Sequence, residues 1–259
     1  MDTVASRARA VRRPRSLLLM LALFMTRAVA ALAAECPATP AAAPIELPNL
    51  RSAIAQGTEG VIVALGSSST QGAMASDLAH SYPAVLQRVL SAGLPQAHLA
   101  VINRGIGGQD AAEELARLDA DVLAMHPRLV IWQVGANGAL RNVEPEIFRV
   151  LVTTGVRKLQ SAGADVILMD NQQSPRLLAK PEEPIFDQTL AQVATETGAA
   201  LFSRRALMRG WLRDGEPFAD FISGDGLHHN DHGYFCIAQS LAHSILAGLA
   251  PHPPQAASR

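Results

Sequence analysis

Residues 61–72 read VIVALGSSSTQG, an apolar, β-branched run that ends in glycine, three serines, threonine and a second glycine. An apolar run closed by small polar residues is typical of a buried strand that gives way to a turn. Such a turn is either a solvated connection or the place where a nucleophile is held between a strand and a helix. The nucleophile candidates are Ser67, Ser68 and Ser69.

Four further apolar runs follow this one, at 98–103, 129–134, 164–170 and, more weakly, 199–203. Apolar residues recur at helical spacing between and after these runs, at 82–93, 110–125, 145–163, 184–198 and 233–250. Strands that alternate with helices predict a parallel sheet covered by helices on both faces, which is an α/β fold of three layers, α/β/α.

The N-terminus has the layout of a secretory signal peptide. A positive stretch, RARAVRRPRS, precedes the apolar run LLLMLALFM and the small residues AVAALAAE. We therefore expect a signal peptide over 1–34 and a periplasmic or secreted protein without a stable membrane span after cleavage. An uncleaved N-terminal anchor is the alternative.

The remaining organisation follows from proline content and pattern. A Pro/Ala-rich leader is expected over 35–58, with a linker too rich in proline for regular structure at 35–50. The folded domain is expected over 59–250, and the tail 251–259 is expected to be disordered. Beyond residue 33 the chain carries 16 basic and 22 acidic residues. This mildly acidic body argues against nucleic acid as a partner.

Two cysteines occur, Cys36 in the leader and Cys236 in the last predicted helix. In an oxidising compartment they can form a disulfide, which requires the leader to fold back onto the domain. A free, buried Cys236 is the alternative.

Ligands of such sheets bind beyond the carboxyl ends of the strands. Polar segments follow the first four strands there, at 66–72, 103–110, 135–142 and 170–176. A serine hydroxyl needs an adjacent base, and the dense cluster of candidate bases is GDGLHHNDHGY, residues 224–234. Asp225 and His228 are spaced so that one short turn can point both side chains the same way, with Asp orienting His and His deprotonating Ser.

An acyl-transfer intermediate also needs N–H donors for its oxyanion. Gly107 and Gly108 can present a backbone N–H without a Cβ in the way, and Asn137 can offer a side-chain amide.

In order, GSSSTQG, NRGIGG, GAN and DGLH resemble the four blocks of the SGNH (GDSL-like) hydrolase family over nearly all of 59–248. The resemblance implies a flavodoxin-like, five-stranded parallel sheet and ester hydrolysis through an acyl-enzyme, with no cofactor and no metal. It implies Ser68 as nucleophile and Asp225 and His228 as orienting acid and base. It also implies an oxyanion hole made by the backbone N–H groups of Ser68 and Gly108 and the Asn137 amide.

Two positions depart from the family pattern. Ser67 replaces an aspartate that usually braces the nucleophile turn, and Gly138 replaces an aspartate that often follows the asparagine. The first departure puts the rate in doubt more than the reaction type. The expected partner is a small-molecule, glycan or lipid ester, such as a sugar O-acetyl ester, a lysophospholipid or a thioester. The segment 172–188 could shape the acyl pocket.

Other interpretations of these residues remain open. Ser69 is the nucleophile if the loop has another register. Asn137 could instead cap a helix or turn, and the glycines of 105–108 could form a nucleotide-binding loop. His228, His229 and His232 with Asp231 could form a metal site. A catalytically weak binding protein for polysaccharide or cell-envelope assembly is the rival function, favoured by Ser67.

Some polar residues near these motifs are expected to be structural. Asn230 or Asp231 is predicted to cap the last helix, together with His229 in a structural role. Asp110 and Glu113 are predicted to lie in the first turn of the second helix. Arg141 and Arg176 are expected to be surface residues, and Trp132 a core residue.

Overall fold

The computed structural model describes residues 35–37 and 43–250. The predicted signal peptide, residues 38–42 and the predicted tail lie outside the described residues. The strands are β1 Gly60–Gly66, β2 Leu99–Gly105, β3 Leu129–Gln133, β4 Asp165–Met169 and β5 Ala200–Phe202. All neighbours pair in parallel in the order β2-β1-β3-β4-β5, which is the flavodoxin-like order. The predicted fold is confirmed.

Eleven α-helices connect and cover the strands within the described residues. They are α1 Pro48–Ala55, α2 Ser68–Gln71, α3 Tyr82–Gly93, α4 Ala111–Ala116, α5 Leu118–Asp121, α6 Ala136–Arg141, α7 Pro145–Ser161, α8 Pro175–Leu178, α9 Glu183–Thr197, α10 Arg204–Arg213 and α11 Asp231–Leu249. Three 3-10 turns lie at Leu78–His80, Leu123–Met125 and Phe218–Asp220.

The central strands β1, β3 and β4 are buried on both faces, with alternate residues pointing to opposite sides of the sheet. Ile62, Ala64 and Ile131 pack in one core with α1, α3, α10 and α11. Val63 and Trp132 pack in a second core with α4, α5, α7 and α9. This arrangement gives the three layers, and Trp132 is fully buried as predicted.

The leader contains more structure than its proline content suggests. Leu47 and Leu50 are buried, and α1 begins at Pro48. Proline suits the first turn of a helix, where its missing N–H costs nothing. The prediction of a linker without regular structure over 35–50 is therefore wrong from Pro48 onward.

Cys36 and Cys236 form a disulfide, which ties the leader to α11. The leader also meets α11 through the Ile45 N–H, which donates to the Ser244 carbonyl at 3.1 Å. Of the two alternatives for the cysteines, the structure shows the bonded pair.

The second predicted helix, 110–125, is not continuous. It breaks at Arg117, which leaves helical geometry with φ −103° and ψ 7°. The Arg117 side chain donates instead to the carbonyls of Gly66 and Arg104, at 3.1 and 2.9 Å, and to Gln109 Oε1 at 2.6 Å. The helix is therefore interrupted where its arginine binds the ends of β1 and β2.

Candidate active site

The carboxyl ends of three strands lie level with one another. Gly66 of β1 pairs with Gly105 of β2 on one side and with Gln133 of β3 on the other. The polar segments after these strands therefore start from one edge of the sheet, as their order in the sequence predicted.

Ser68 is the first residue of α2, directly after β1. A Cβ on Gly105 would lie 2.1 Å from the Gln71 N, so only glycine lets α2 pack this closely against β2. The Ser68 side chain is partly exposed, whereas Ser67 and Ser69 are 3% and 2% exposed. Of the three serines, Ser68 is the accessible one.

His228 lies beside Ser68, although 160 residues separate them in the sequence. Ser68 Oγ and His228 Nε2 are 2.7 Å apart, and His228 Nδ1 is 2.5 Å from Asp225 Oδ2. The structure thus aligns Ser68, His228 and Asp225 in one continuous chain of hydrogen bonds.

Asp225 is held by its own loop. Its Oδ1 accepts from Ser223 Oγ at 2.7 Å and from the backbone N–H groups of Leu227 and His228 at 2.9 and 3.0 Å. Partial burial acts to raise the pKa of Asp225, but these hydrogen bonds and the His228 ring outweigh it and hold that pKa well below its usual value. The carboxylate is therefore ionised and orients the imidazole.

The glycine segment after β2 approaches Ser68. A Cβ on Gly107 would lie 3.9 Å from Ser68 Cβ, and Gly108 has φ +81°, a conformation that suits glycine. Arg141 Nη2 donates to the Gly108 carbonyl at 2.6 Å and its Nη1 binds Asp110 and Glu113, each at 2.9 Å. Arg141 is a surface residue, but it also fixes this segment.

Asn137 is the second residue of α6 and is partly exposed. Its Nδ2 donates to the Gln109 carbonyl at 2.8 Å, which orients the amide and leaves its second N–H hydrogen available. The predicted oxyanion donors thus lie on segments that are bonded to each other, and their role stays a prediction.

Gln133 is a residue of the site that the sequence analysis missed. Its Oε1 accepts from Ser67 N and Ser67 Oγ, both at 3.3 Å, and from Thr70 Oγ1 at 3.2 Å. The acceptor that an aspartate at position 67 would supply to this turn comes here from the neighbouring strand. The signal in the sequence was a lone amide at the end of the apolar run LVIWQ.

The other polar residues take separate structural positions. Asn230 caps α11, as predicted, by accepting from the Gly233 N–H at 2.8 Å. Glu113 lies in the first turn of α4 as predicted, whereas Asp110 precedes that turn as the N-cap and forms a capping box with Glu113. His229 is fully buried with its Nδ1 against the Phe221 carbonyl at 3.2 Å, and burial, followed by the Arg204 charge, lowers its pKa to about 3.

The histidines of the metal-site alternative do not converge. His228 bonds Ser68 and Asp225, His229 is turned toward Phe221, and His232 stacks on the Phe221 ring at 5.3 Å. Among residues 35–37 and 43–250, no three His, Cys, Asp or Glu side chains form a group that could hold a metal ion.

A cavity of about 720 Å³ lies elsewhere, between the leader residues 43–46, β5, α10 and α11. Neither Ser68, His228 and Asp225 nor the segments that carry the predicted oxyanion donors line it. In the described part of the chain, no helix is long and apolar enough to span a membrane.

Comparison with known proteins agrees with this geometry. Residues 33–251 match the model of the non-GDSL lipase-like family. The chain belongs to that family. The predicted relationship to SGNH (GDSL-like) hydrolases is thereby confirmed.

Named relatives of this family member are esterases. The chain is 27% identical to Esterase TesA of Pseudomonas aeruginosa over 49% of its own length and 60% of TesA. It is 26% identical to an arylesterase of Vibrio mimicus over 76% of its own length and 94% of that protein. Among solved structures, a two-domain esterase active on acetylated mannans superposes with a TM-score of 0.69 at 22% identity. That likeness covers 84% of this chain and 58% of the other.

Proposed function

We propose that this chain is a serine esterase that hydrolyses carboxylic esters through an acyl-enzyme. The observation that carries the proposal is the 2.7 Å contact between Ser68 Oγ and His228 Nε2, with Asp225 on the far side of the ring. Membership of a lipase-like family with esterase relatives supports the same reaction class.

In the first half of the reaction, Ser68 Oγ attacks the ester carbonyl carbon while His228 Nε2 takes its proton. The resulting oxyanion accepts from the Ser68 and Gly108 N–H groups and from the Asn137 amide. Asp225 stabilises the imidazolium, which then gives its proton to the leaving alkoxide as the carbon–oxygen bond breaks. The alcohol departs and Ser68 remains acylated.

In the second half, water attacks the acyl-serine and His228 takes a proton from it. Collapse of the second tetrahedral intermediate returns the proton to Ser68 Oγ and releases the carboxylic acid. His228 takes up and returns every proton in this scheme.

The decisive experiment compares two neighbouring serines. We expect Ser68→Ala to abolish hydrolysis of p-nitrophenyl acetate by the folded protein, because the nucleophile is lost. The matched control Ser69→Ala removes a buried hydroxyl one residue away and should keep activity. Wild-type-like turnover by Ser68→Ala, or loss confined to Ser69→Ala, would overturn the assignment.

For the substrate, we propose a short acyl group, such as the acetyl ester of a carbohydrate. The structural likeness to an esterase active on acetylated mannans supports this class. A series of p-nitrophenyl esters from C2 to C16 tests it: kcat/KM should be highest at the short end. A maximum at long chains would instead indicate a lipid ester.

Export completes the proposal. The N-terminal sequence pattern of a signal peptide and the Cys36–Cys236 disulfide both suit an oxidising compartment such as the periplasm. The rival function of a weak binding protein rested on Ser67, and Gln133 now supplies that turn with an acceptor. Reaction of Ser68 with a fluorophosphonate probe separates the two functions, since only the esterase is labelled.

A further inference from the structure

The loop that carries Asp225 and His228 is closed mainly on itself. The Ser223 N–H donates to the His228 carbonyl at 2.8 Å, and the Gly226 N–H donates to the Ser223 carbonyl at 3.0 Å. The groups that bond the Asp225 carboxylate also lie within residues 223–228. The internal bonds fix the shape of the loop, but they do not set its position relative to Ser68.

Two hydrogen bonds tie residues 224–227 to another segment of the described chain, and both partners follow β4. Gln172 Nε2 donates to the Leu227 carbonyl at 2.9 Å, and the Arg176 N–H donates to the Gly226 carbonyl at 3.0 Å. The segment after β4, for which the sequence suggested a role in the acyl pocket, therefore supports the acid–base loop through its first residues.

The Gln172 side chain has a fixed orientation because it is itself held. Arg204 Nη2 donates to Gln172 Oε1 at 3.0 Å, and a guanidinium can only donate. The amide oxygen must therefore face Arg204, and the amide nitrogen must face Leu227. Arg204 is in turn fixed by its Nε, which donates to the Asp170 carbonyl at 2.8 Å.

This relay is sheltered from water. Gln172 is 1% exposed and Arg204 is fully buried. A buried hydrogen bond of this kind cannot be replaced by solvent without rearrangement, so it holds its partner more strictly than a surface contact does.

We propose that Gln172, oriented by Arg204, is a positioning residue that sets the place of the Asp225–His228 loop against Ser68. The inference rests on the proposed esterase function. Loss of the Gln172 donor frees the Leu227 carbonyl, and the loop then shifts relative to the nucleophile. Small misplacements of a catalytic base are costly because proton transfer needs hydrogen-bond geometry.

The test uses two variants of Gln172 and a glutamine outside the site as control. Gln172→Met keeps the length of the side chain without its polar atoms, and Gln172→Glu keeps the acceptor for Arg204 but loses the donor for Leu227. Gln87→Met is the matched control, since Gln87 Nε2 also donates to a backbone carbonyl, that of Leu99 at 3.1 Å, but at the start of β2, away from the site.

We expect both Gln172 variants to lose about tenfold in kcat on p-nitrophenyl acetate with KM little changed. The values are taken per active site titrated with a fluorophosphonate, and the rate of fluorophosphonate labelling should fall in parallel. Gln87→Met should keep the wild-type kcat. A residue that only stabilises the fold would lower the titrated fraction but not the kcat per site.

The outcomes separate the two proposals. Wild-type kcat per site in both Gln172 variants, or an equal loss in Gln87→Met, would overturn the positioning role while the esterase function stands. A wild-type protein that neither hydrolyses the ester nor reacts with the probe would overturn the proposed function itself.

Discussion

The nucleophile turn depends on Gln133, a side chain that lies outside it. One amide oxygen accepts from the backbone and hydroxyl of Ser67 and from the Thr70 hydroxyl. Three donors that converge on one buried acceptor restrict the turn strongly, and removal of the acceptor would leave the Ser67 donors unsatisfied. The neutral Ser67 is therefore compatible with an ordered turn.

We expect Gln133→Met to lower both stability and activity. Loss of the acceptor leaves buried donors without a partner, which costs about 1–3 kcal/mol in the free energy of unfolding. The loosened Ser68 should also lower kcat per titrated site by about tenfold. Urea unfolding and p-nitrophenyl acetate kinetics measure the two effects.

Gln87→Met provides the control for that variant. Gln87 also joins a helix to strand backbone, since its Oε1 accepts from Val101 N at 2.6 Å and its Nε2 donates to the Leu99 carbonyl at 3.1 Å. It should lose stability without a change in kcat per site. An unchanged kcat in Gln133→Met would contradict the bracing role.

At this scale the sequence predicted the triad residues but not their supports. Ser68, Asp225, His228 and Asn137 carry recognisable chemistry at recognisable places in the chain. Gln133 and Gln172 act by hydrogen bonds across 66 and 55 residues of sequence, and no local pattern encodes such pairs. Only the folded arrangement reveals them.

At the scale of elements, α4 is joined to β3 by a buried hydrogen bond. Trp132 Nε1 donates to Glu114 Oε2 at 2.8 Å, and Glu114 is 1% exposed. Burial raises the pKa of Glu114 well above its usual value, against the opposing effects of Trp132 and the Arg117 charge and aided by Asp110 and Glu113. The folded protein therefore favours a protonated Glu114.

This pKa makes the stability depend on pH with a definite sign. Protonated Glu114 contributes to the free energy of unfolding. This contribution is complete below the pKa that Glu114 has in the unfolded chain and is lost as the pH rises toward its pKa in the folded protein. Above about pH 5, we expect the free energy of unfolding of Glu114→Gln to increase relative to that of the wild type by up to about 1.4 kcal/mol per pH unit. Urea unfolding at pH 5, 6.5 and 8 measures the gap, and a gap independent of pH would contradict this account.

The sequence predicted most elements because their apolar spacing is regular. It failed where one side chain overrides the local pattern, as at Arg117, which breaks the second helix to bind the strand ends. It also passed over α10, whose buried face includes the charged Arg204, so the apolar pattern that marks a helix is weak there.

At the scale of the whole molecule, the disulfide joins residues 200 positions apart and fixes the leader to α11. Cross-linking so long a loop restricts the unfolded chain, and a disulfide typically contributes about 2–4 kcal/mol to stability. None of the predicted catalytic residues takes part in the bond.

We therefore expect Cys36→Ser to lower the free energy of unfolding by about 2–4 kcal/mol while kcat per titrated site stays at the wild-type value. Urea unfolding with and without a reductant provides the check. The reductant should destabilise the wild type and leave Cys36→Ser unchanged. A variant as stable as the oxidised wild type would show that the disulfide does not stabilise the fold.

The contact between Ser68 and His228 spans nearly the whole domain, from the end of the first strand to the start of the last helix. The proposed ester hydrolysis thus requires both the first strand and the segment before the last helix to have reached their final places. During refolding from denaturant, the return of hydrolysis therefore reports when the domain is complete, whereas far-UV circular dichroism reports only the formation of secondary structure. The proposed esterase activity therefore measures folding without an added label.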